Sequence, residues 1–134
     1  SLHDALPISD EEDEEDTDDE DAFGNSVAVD GDLVVVGAPG EGGMVGGLDP
    51  PSRTDAESYV GAVYVFHAAA GTAVQDHYVK ASVLDADDRF GESVGVSGGR
   101  VCVGAPGESS ASHGVAGNPQ DDTALQSGAF YCFE

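Results

Sequence analysis

Phe23-Gly24-Asn25-Ser26-Val27-Ala28-Val29-Asp30-Gly31-Asp32-Leu33-Val34-Val35-Val36-Gly37-Ala38-Pro39-Gly40-Glu41 is the stretch on which the reading of this chain turns. Residues 25–30 alternate small apolar and polar side chains, the two-residue period of a strand. Residues 33–36 are an unbroken aliphatic run closed by Gly37 and Pro39. Asp30-Gly31-Asp32 joins the two runs, and Asp-Gly between apolar stretches is a strong tight-hairpin signal. The stretch predicts two antiparallel strands. Further on, 61–66 predicts a third strand and 77–84 a fourth. No segment of useful length shows the period of a helix.

The same pattern returns. A shift of 67 residues sets Phe23-Gly24 on Phe90-Gly91 and Gly37-Ala38-Pro39-Gly40-Glu41 on Gly104-Ala105-Pro106-Gly107-Glu108. The same shift sets Gly61-Ala62 on Gly128-Ala129, Tyr64 on Tyr131 and Phe66 on Phe133. Residues 21–67 and 88–134 are therefore two copies of one unit. The second copy predicts strands at 92–97, 100–103 and 128–133. Between the second and third strands of each unit lies a loop of 23 residues, 38–60 and 105–127, rich in Gly, Ser, Pro and Asp. A compact connection has about 4–6 residues. Without the excess the unit falls to roughly 48 residues, near the about 40–50 of a four-stranded propeller blade.

Composition narrows the function classes. The chain has 134 residues, 27 acidic against 4 basic, and a formal charge of −23. A polyanion of this size repels phosphate backbones, which argues against nucleic acid as a partner. No apolar run is long enough to span a bilayer, which needs about 18 or more residues. Residues 1–8, Ser-Leu-His-Asp-Ala-Leu-Pro-Ile, resemble the in-frame translation of a short-read sequencing adaptor and are set aside as an artefact. On that reading the natural sequence starts near Ser9, and the absence of a signal peptide says nothing about the parent protein. Residues 9–21 form an acidic tract whose like charges cannot pack and are expected to be mostly disordered.

Phe-Gly-x-Ser-Val-x-Val, a tight turn, a Val run, Gly-Ala-Pro-Gly and then Gly-Ala-Val-Tyr-Val-Phe resemble the FG-GAP repeat. That repeat builds the β-propeller of integrin α subunits and of many secreted or surface proteins. The resemblance covers 21–134 in two copies. It implies an all-β fold of two consecutive antiparallel blades from an open, larger propeller, with 22–87 as the first blade and 88–134 as the second, incomplete one. Phe23, Gly24, Gly37, Ala38 and Pro39, with Phe90, Gly91, Gly104, Ala105 and Pro106, are then structural. The glycines can take backbone conformations closed to other residues. The prolines end the second strands, where no further ladder donor is needed. Propellers have four to eight blades, so two should leave apolar blade faces exposed. The remaining blades of the parent chain would cover them.

Candidate sites are few. Calcium-binding members of the family carry an Asp-x-Asp-x-Asp-Gly loop between the first two strands. Here that place holds Asp30-Gly31-Asp32 and Ser97-Gly98-Gly99, neither of which offers the six to eight oxygens Ca²⁺ prefers. Asp85, Asp87 and Asp88, in the acidic turn before Phe90-Gly91, could hold Ca²⁺ weakly, and a solvated turn is the plainer reading. No other cofactor is expected. Gly91-Glu92-Ser93-Val94-Gly95 has the spacing of a nucleophile elbow, but the elbow needs a strand before its serine and a helix after it. Ser93 has a turn before it and a strand after it, so no catalytic residue is assigned. Cys102 and Cys132 replace Val35 and Val65 of the first unit and by that comparison are buried. They lie on strands expected to be neighbours, so a disulfide is open to them in an oxidising compartment, as is a pair of buried thiols. Met44, Leu48 and Tyr59, in or beside the first long loop, could form a patch or anchor the loop.

The resemblance implies a non-catalytic binding scaffold, extracellular or at the cell surface, of adhesion or matrix type. Its long loops would meet protein or glycan partners. The alternative is an accessory propeller attached to an enzyme domain, such as a hydrolase, outside these residues.

Overall fold

A computed structural model describes residues 21–50, 59–111 and 122–134. The acidic tract before Asp21, the adaptor-like residues and the centres of both long loops lie outside the described residues. The chain is all-β. It forms β1 (Ser26–Asp30), β2 (Leu33–Ala38), β3 (Gly47–Leu48), β4 (Ala62–Ala69), β5 (Thr72–Lys80), β6 (Ser93–Ser97), β7 (Arg100–Ala105) and β8 (Ala129–Phe133). Two antiparallel sheets result, ordered β1-β2-β4-β5-β3 and β6-β7-β8, and neither closes into a barrel.

The repeat in sequence is a repeat in register. Ser26 faces Gly37 and Asp30 faces Leu33 in the first unit, as Ser93 faces Gly104 and Ser97 faces Arg100 in the second. Val35 faces Val65 on the next strand pair, as Cys102 faces Cys132. Gly31, with φ 59°, turns the first hairpin, and Gly98 and Gly99, at 57° and 79°, turn the second. Each of these hairpins was legible from its turn chemistry.

The second sheet lies against one face of the first. Val35, Val63, Val65, Val79 and Ala81 of the first unit pack with Phe90, Val101, Val103 and Ala105 of the second. The other face of the first sheet has its own cluster, with Val36, Ala38, Ala62, Tyr64, Phe66 and Tyr78 buried beneath Phe23. Successive residues of a strand point to opposite faces. Val35 and Val36 are therefore both buried because both faces are covered. That explains an unbroken aliphatic run where a one-sided strand would alternate. Each buried valine contributes about 1.5–3 kcal/mol relative to leaving it in water.

Two expectations are corrected. The fourth strand runs over Thr72–Lys80, not 77–84. Its start is a two-residue turn with Ala69 opposite Thr72. Ala70 takes φ 52° and Gly71 80°, and Thr72 Oγ1 donates to the Ala69 carbonyl at 2.8 Å. An alanine in the left-handed region gives no turn signal in sequence. The first long loop also has structure of its own: Gly47–Leu48 forms a short edge strand on β5, pairing with Lys80 and Val79.

Candidate functional site

The Phe-Gly turns build the junction between the units. Phe90 N–H donates to the Val60 carbonyl at 3.0 Å and Arg89 N–H to the Tyr59 carbonyl at 2.8 Å. Ser26 Oγ donates to the Gly91 carbonyl at 2.8 Å. Phe90 is 1% exposed, and its ring meets that of Tyr131 edge-on at 5.5 Å. Phe23 meets Tyr64 in the same manner at 5.1 Å. Two glycines are required by close approach. A Cβ on Gly37 would come within 2.0 Å of the Gly91 carbonyl and 2.3 Å of Ser26 Oγ. Gly91 has φ 94°, and a Cβ there would lie 2.4 Å from the Ala62 carbonyl. The second unit's Phe-Gly turn thus presses on the strands of the first unit and leaves no room for a side chain at Gly37 or Gly91.

Each long loop leaves its sheet from the same hydrogen-bonded base. Gly40 N–H donates to the Asp21 carbonyl at 3.0 Å and Gly107 N–H to the Asp88 carbonyl at 3.1 Å. Gly61 N–H donates to the Glu41 carbonyl at 2.7 Å and Gly128 N–H to that of Glu108 at 2.8 Å. The Glu41 Oε1 accepts from Gly43 N–H at 3.0 Å, and the Glu108 Oε1 accepts from Ser110 N–H at 3.0 Å. The glutamate that closes each Gly-Ala-Pro-Gly-Glu therefore caps its own loop. In the first unit the other Glu41 oxygen forms a buried ion pair with Lys80 Nζ. Sequence reasoning gave Glu41 and Lys80 no role. The recurrence of Glu at the end of both motifs was the available signal.

The acidic turn of the second unit is tied to its loop base. Asp85 N–H donates to Asp88 Oδ2 at 3.1 Å. Burial pushes the Asp88 carboxyl up to about 6; the Asp85 N–H opposes this, and the Asp85, Glu108 and Asp122 charges add to it. Burial, and then the Asp122 charge, also raise Asp85. Burial, followed by the charges of Glu108 and Asp88, raises the Tyr131 hydroxyl. Asp87 sits in the left-handed region at φ 70°. Among the described residues no three His, Cys, Asp or Glu side chains converge in a way that could hold a metal ion.

Cys102 and Cys132 face one another across β7 and β8 with Cα atoms 4.1 Å apart, and their sulfurs are bonded. The burial expected from Val35 and Val65 is corrected, since Cys102 is half-buried and Cys132 exposed. The valines are covered by the second sheet, and among the described residues no sheet covers the matching face of the second unit. Ser93 opens β6 directly after a turn, and a strand follows where a nucleophile elbow needs a helix. Met44 and Leu48 are exposed, and Tyr59 lies with its ring 5.9 Å from the Arg89 guanidinium.

A groove of about 820 Å³ runs between the sheets, with Leu48, Val65, Val79, Val101 and Phe133 among its walls. His67, Asp76 and His77 also line it, and each histidine is paired with a carboxylate. His77 Nδ1 lies 2.8 Å from Asp49 Oδ2, and His67 pairs with Asp76.

Repeated antiparallel units, stacked face to face through a Phe-Gly turn and each carrying a loop on a fixed base, define a propeller-type repeat module. Residues 14–66, which hold β1 to most of β4, match the family model of the FG-GAP repeat, and the second unit repeats their strand register. No curated protein and no solved structure matches the chain significantly. Among the described residues, no helix is long and apolar enough to cross a membrane.

Proposed function

We propose that this chain is a non-catalytic binding segment of a secreted or cell-surface protein, of adhesion or matrix type, and that its two long loops meet protein or glycan partners. One observation carries the reading. The bases of both loops are held by the same backbone bonds and the same glutamate cap, while the residues between Glu41 and Gly61 share little with those between Glu108 and Gly128. A rigid base with a divergent loop is the arrangement by which scaffolds present binding residues.

The test is surface plasmon resonance of the whole chain against a panel of glycans and purified matrix proteins. It is repeated with residues 44–58 replaced by a Gly/Ser segment of equal length, and again with residues 111–125 so replaced. Saturable binding that falls at least tenfold on either replacement, with far-UV circular dichroism unchanged, supports the reading. Binding indifferent to both replacements, or none across the panel, refutes it.

A further inference from the structure

One turn holds both long loops. Residues 85–91 lie between β5 and β6, at the junction of the units. On one side they grip the end of the first loop. Arg89 N–H donates to the Tyr59 carbonyl at 2.8 Å and Phe90 N–H to the Val60 carbonyl at 3.0 Å. Phe90 also pairs with Gly61, and the Arg89 guanidinium lies 5.9 Å from the centre of the Tyr59 ring. On the other side they grip the start of the second loop. Gly107 N–H donates to the Asp88 carbonyl at 3.1 Å, and a Cβ on Gly107 would come within 1.7 Å of the Asp87 carbonyl. The backbone here is strained. Asp87 has φ 70°, Arg89 57° and Tyr59 58°. The left-handed region is costly for residues other than glycine and persists only where neighbours over-determine it. Here those neighbours include both loop ends. The arrangement belongs to the repeat: one period away, Ala22 at φ 56° stands in the place of Arg89 and Gln126 at 51° in that of Tyr59.

We propose that the turn at residues 85–91 couples the two loops, so that a partner which orders the first loop also orders the base of the second. The turn can be held left-handed or relaxed. Losing Tyr59 and Val60 takes away part of what holds Arg89 and Phe90. A turn that relaxes carries the Asp87 and Asp88 carbonyls away from Gly107, which lies close against both. Coupling of this kind is reciprocal: ordering the second loop favours the turn that grips the first. A turn that both loops bias is the shared element such coupling requires. The inference rests on the reading of both loops as binding elements and says how they act together. Its test involves no partner, so the coupling can fail while the loops still bind, and binding can fail while the coupling holds.

The test is amide hydrogen exchange of the whole chain, read residue by residue by NMR, with Tyr59→Gly. This substitution lies in the first loop alone. It takes the ring from Arg89 and frees position 59 from the left-handed region. The readout is at the base of the second loop, where Gly107 N–H is bonded to the Asp88 carbonyl and Ser110 N–H to Glu108 Oε1. Both amides should exchange about fivefold or more faster, the lower end of coupling between linked sites. Amides of β6 and β7 should keep their rates. Tyr59→Phe, which keeps the ring, should leave Gly107 and Ser110 as in the unaltered chain. If Tyr59→Gly does not fold, Tyr59→Leu, which removes the aromatic face and keeps an apolar side chain, is read in its place. Unchanged rates at Gly107 and Ser110 overturn the proposal. So does a rise of equal size throughout β6 and β7, which marks a loss of overall stability and not coupling.

Discussion

Lys80→Met isolates the buried ion pair at the base of the first loop. The Lys80 and Glu41 side chains are 0% and 2% exposed, so neither charge is screened by solvent. Methionine keeps most of the stem volume and removes the ammonium. Glu41 then retains the Gly43 N–H at 3.0 Å but loses its only full counter-charge from this strand. Removing one partner of a buried pair costs about 3–5 kcal/mol, because the other charge stays desolvated. A domain's whole stability is about 5–15 kcal/mol, so the variant should unfold at much lower urea. Glu41→Gln in the same background should return most of the loss. A glutamine oxygen still accepts from Gly43, and the unpaired charge of Glu41 is gone. The assay is urea unfolding at neutral pH by far-UV circular dichroism, with all four chains of the double-mutant cycle. A loss below about 1 kcal/mol for Lys80→Met, the worth of an exposed pair, refutes the reasoning. A double variant no better than the single also refutes it.

Three further outcomes are expected. Gly37→Ala should destabilise more than Gly104→Ala. The first Cβ meets the Gly91 carbonyl at 2.0 Å as well as Ser26 Oγ, whereas the second comes closest to the movable Ser93 Oγ at 2.3 Å. Equal urea midpoints for the two variants would contradict this. Asp88 titrates near 6 in the fold against 3.8 in the unfolded chain, so the folded state binds more protons between these values and stability falls as pH rises through that window. Asp88→Asn should remove that part of the slope from urea midpoints taken between pH 4 and pH 6.5, and an unchanged slope counts against the burial assigned to Asp88. The Cys102–Cys132 bond closes a separation of 30 residues, and replacing both cysteines by serine should cost about 3–4 kcal/mol by chain entropy. Thiol titration in denaturant, before any reductant, should find none free; two free thiols would undo that assignment.

The parts of this fold that were legible are those decided within a few residues. Asp30-Gly31-Asp32 and Ser97-Gly98-Gly99 announce their hairpins because glycine takes the left-handed turn without steric cost. The Val run of β2 announces a strand covered on both faces. The turn at Ala70-Gly71 was missed because tertiary pairing of β4 with β5 holds an alanine at φ 52°, against its local preference. The short β3 was missed because Gly47-Leu48 has no strand signal of its own and pairs only because β5 presents an edge.

The candidate site divides along the same line. The recurrence of Gly-Ala-Pro-Gly-Glu placed two glutamates at equivalent positions, but nothing in the sequence joins Glu41 to a lysine 39 residues away. Their meeting depends on where β5 ends relative to the loop base, a matter of strand register. Val35 and Cys102 are equivalent in sequence and differ in burial, since burial belongs to the neighbour that packs on a face and not to the residue.

By itself the sequence determined the period of 67, the hairpin turns and the strand character of each apolar run, because these rest on backbone sterics and side-chain alternation. Only the tertiary structure decided which faces are covered and which charges are paired. Those outcomes depend on contacts between segments far apart in the chain, and local preference says nothing about them.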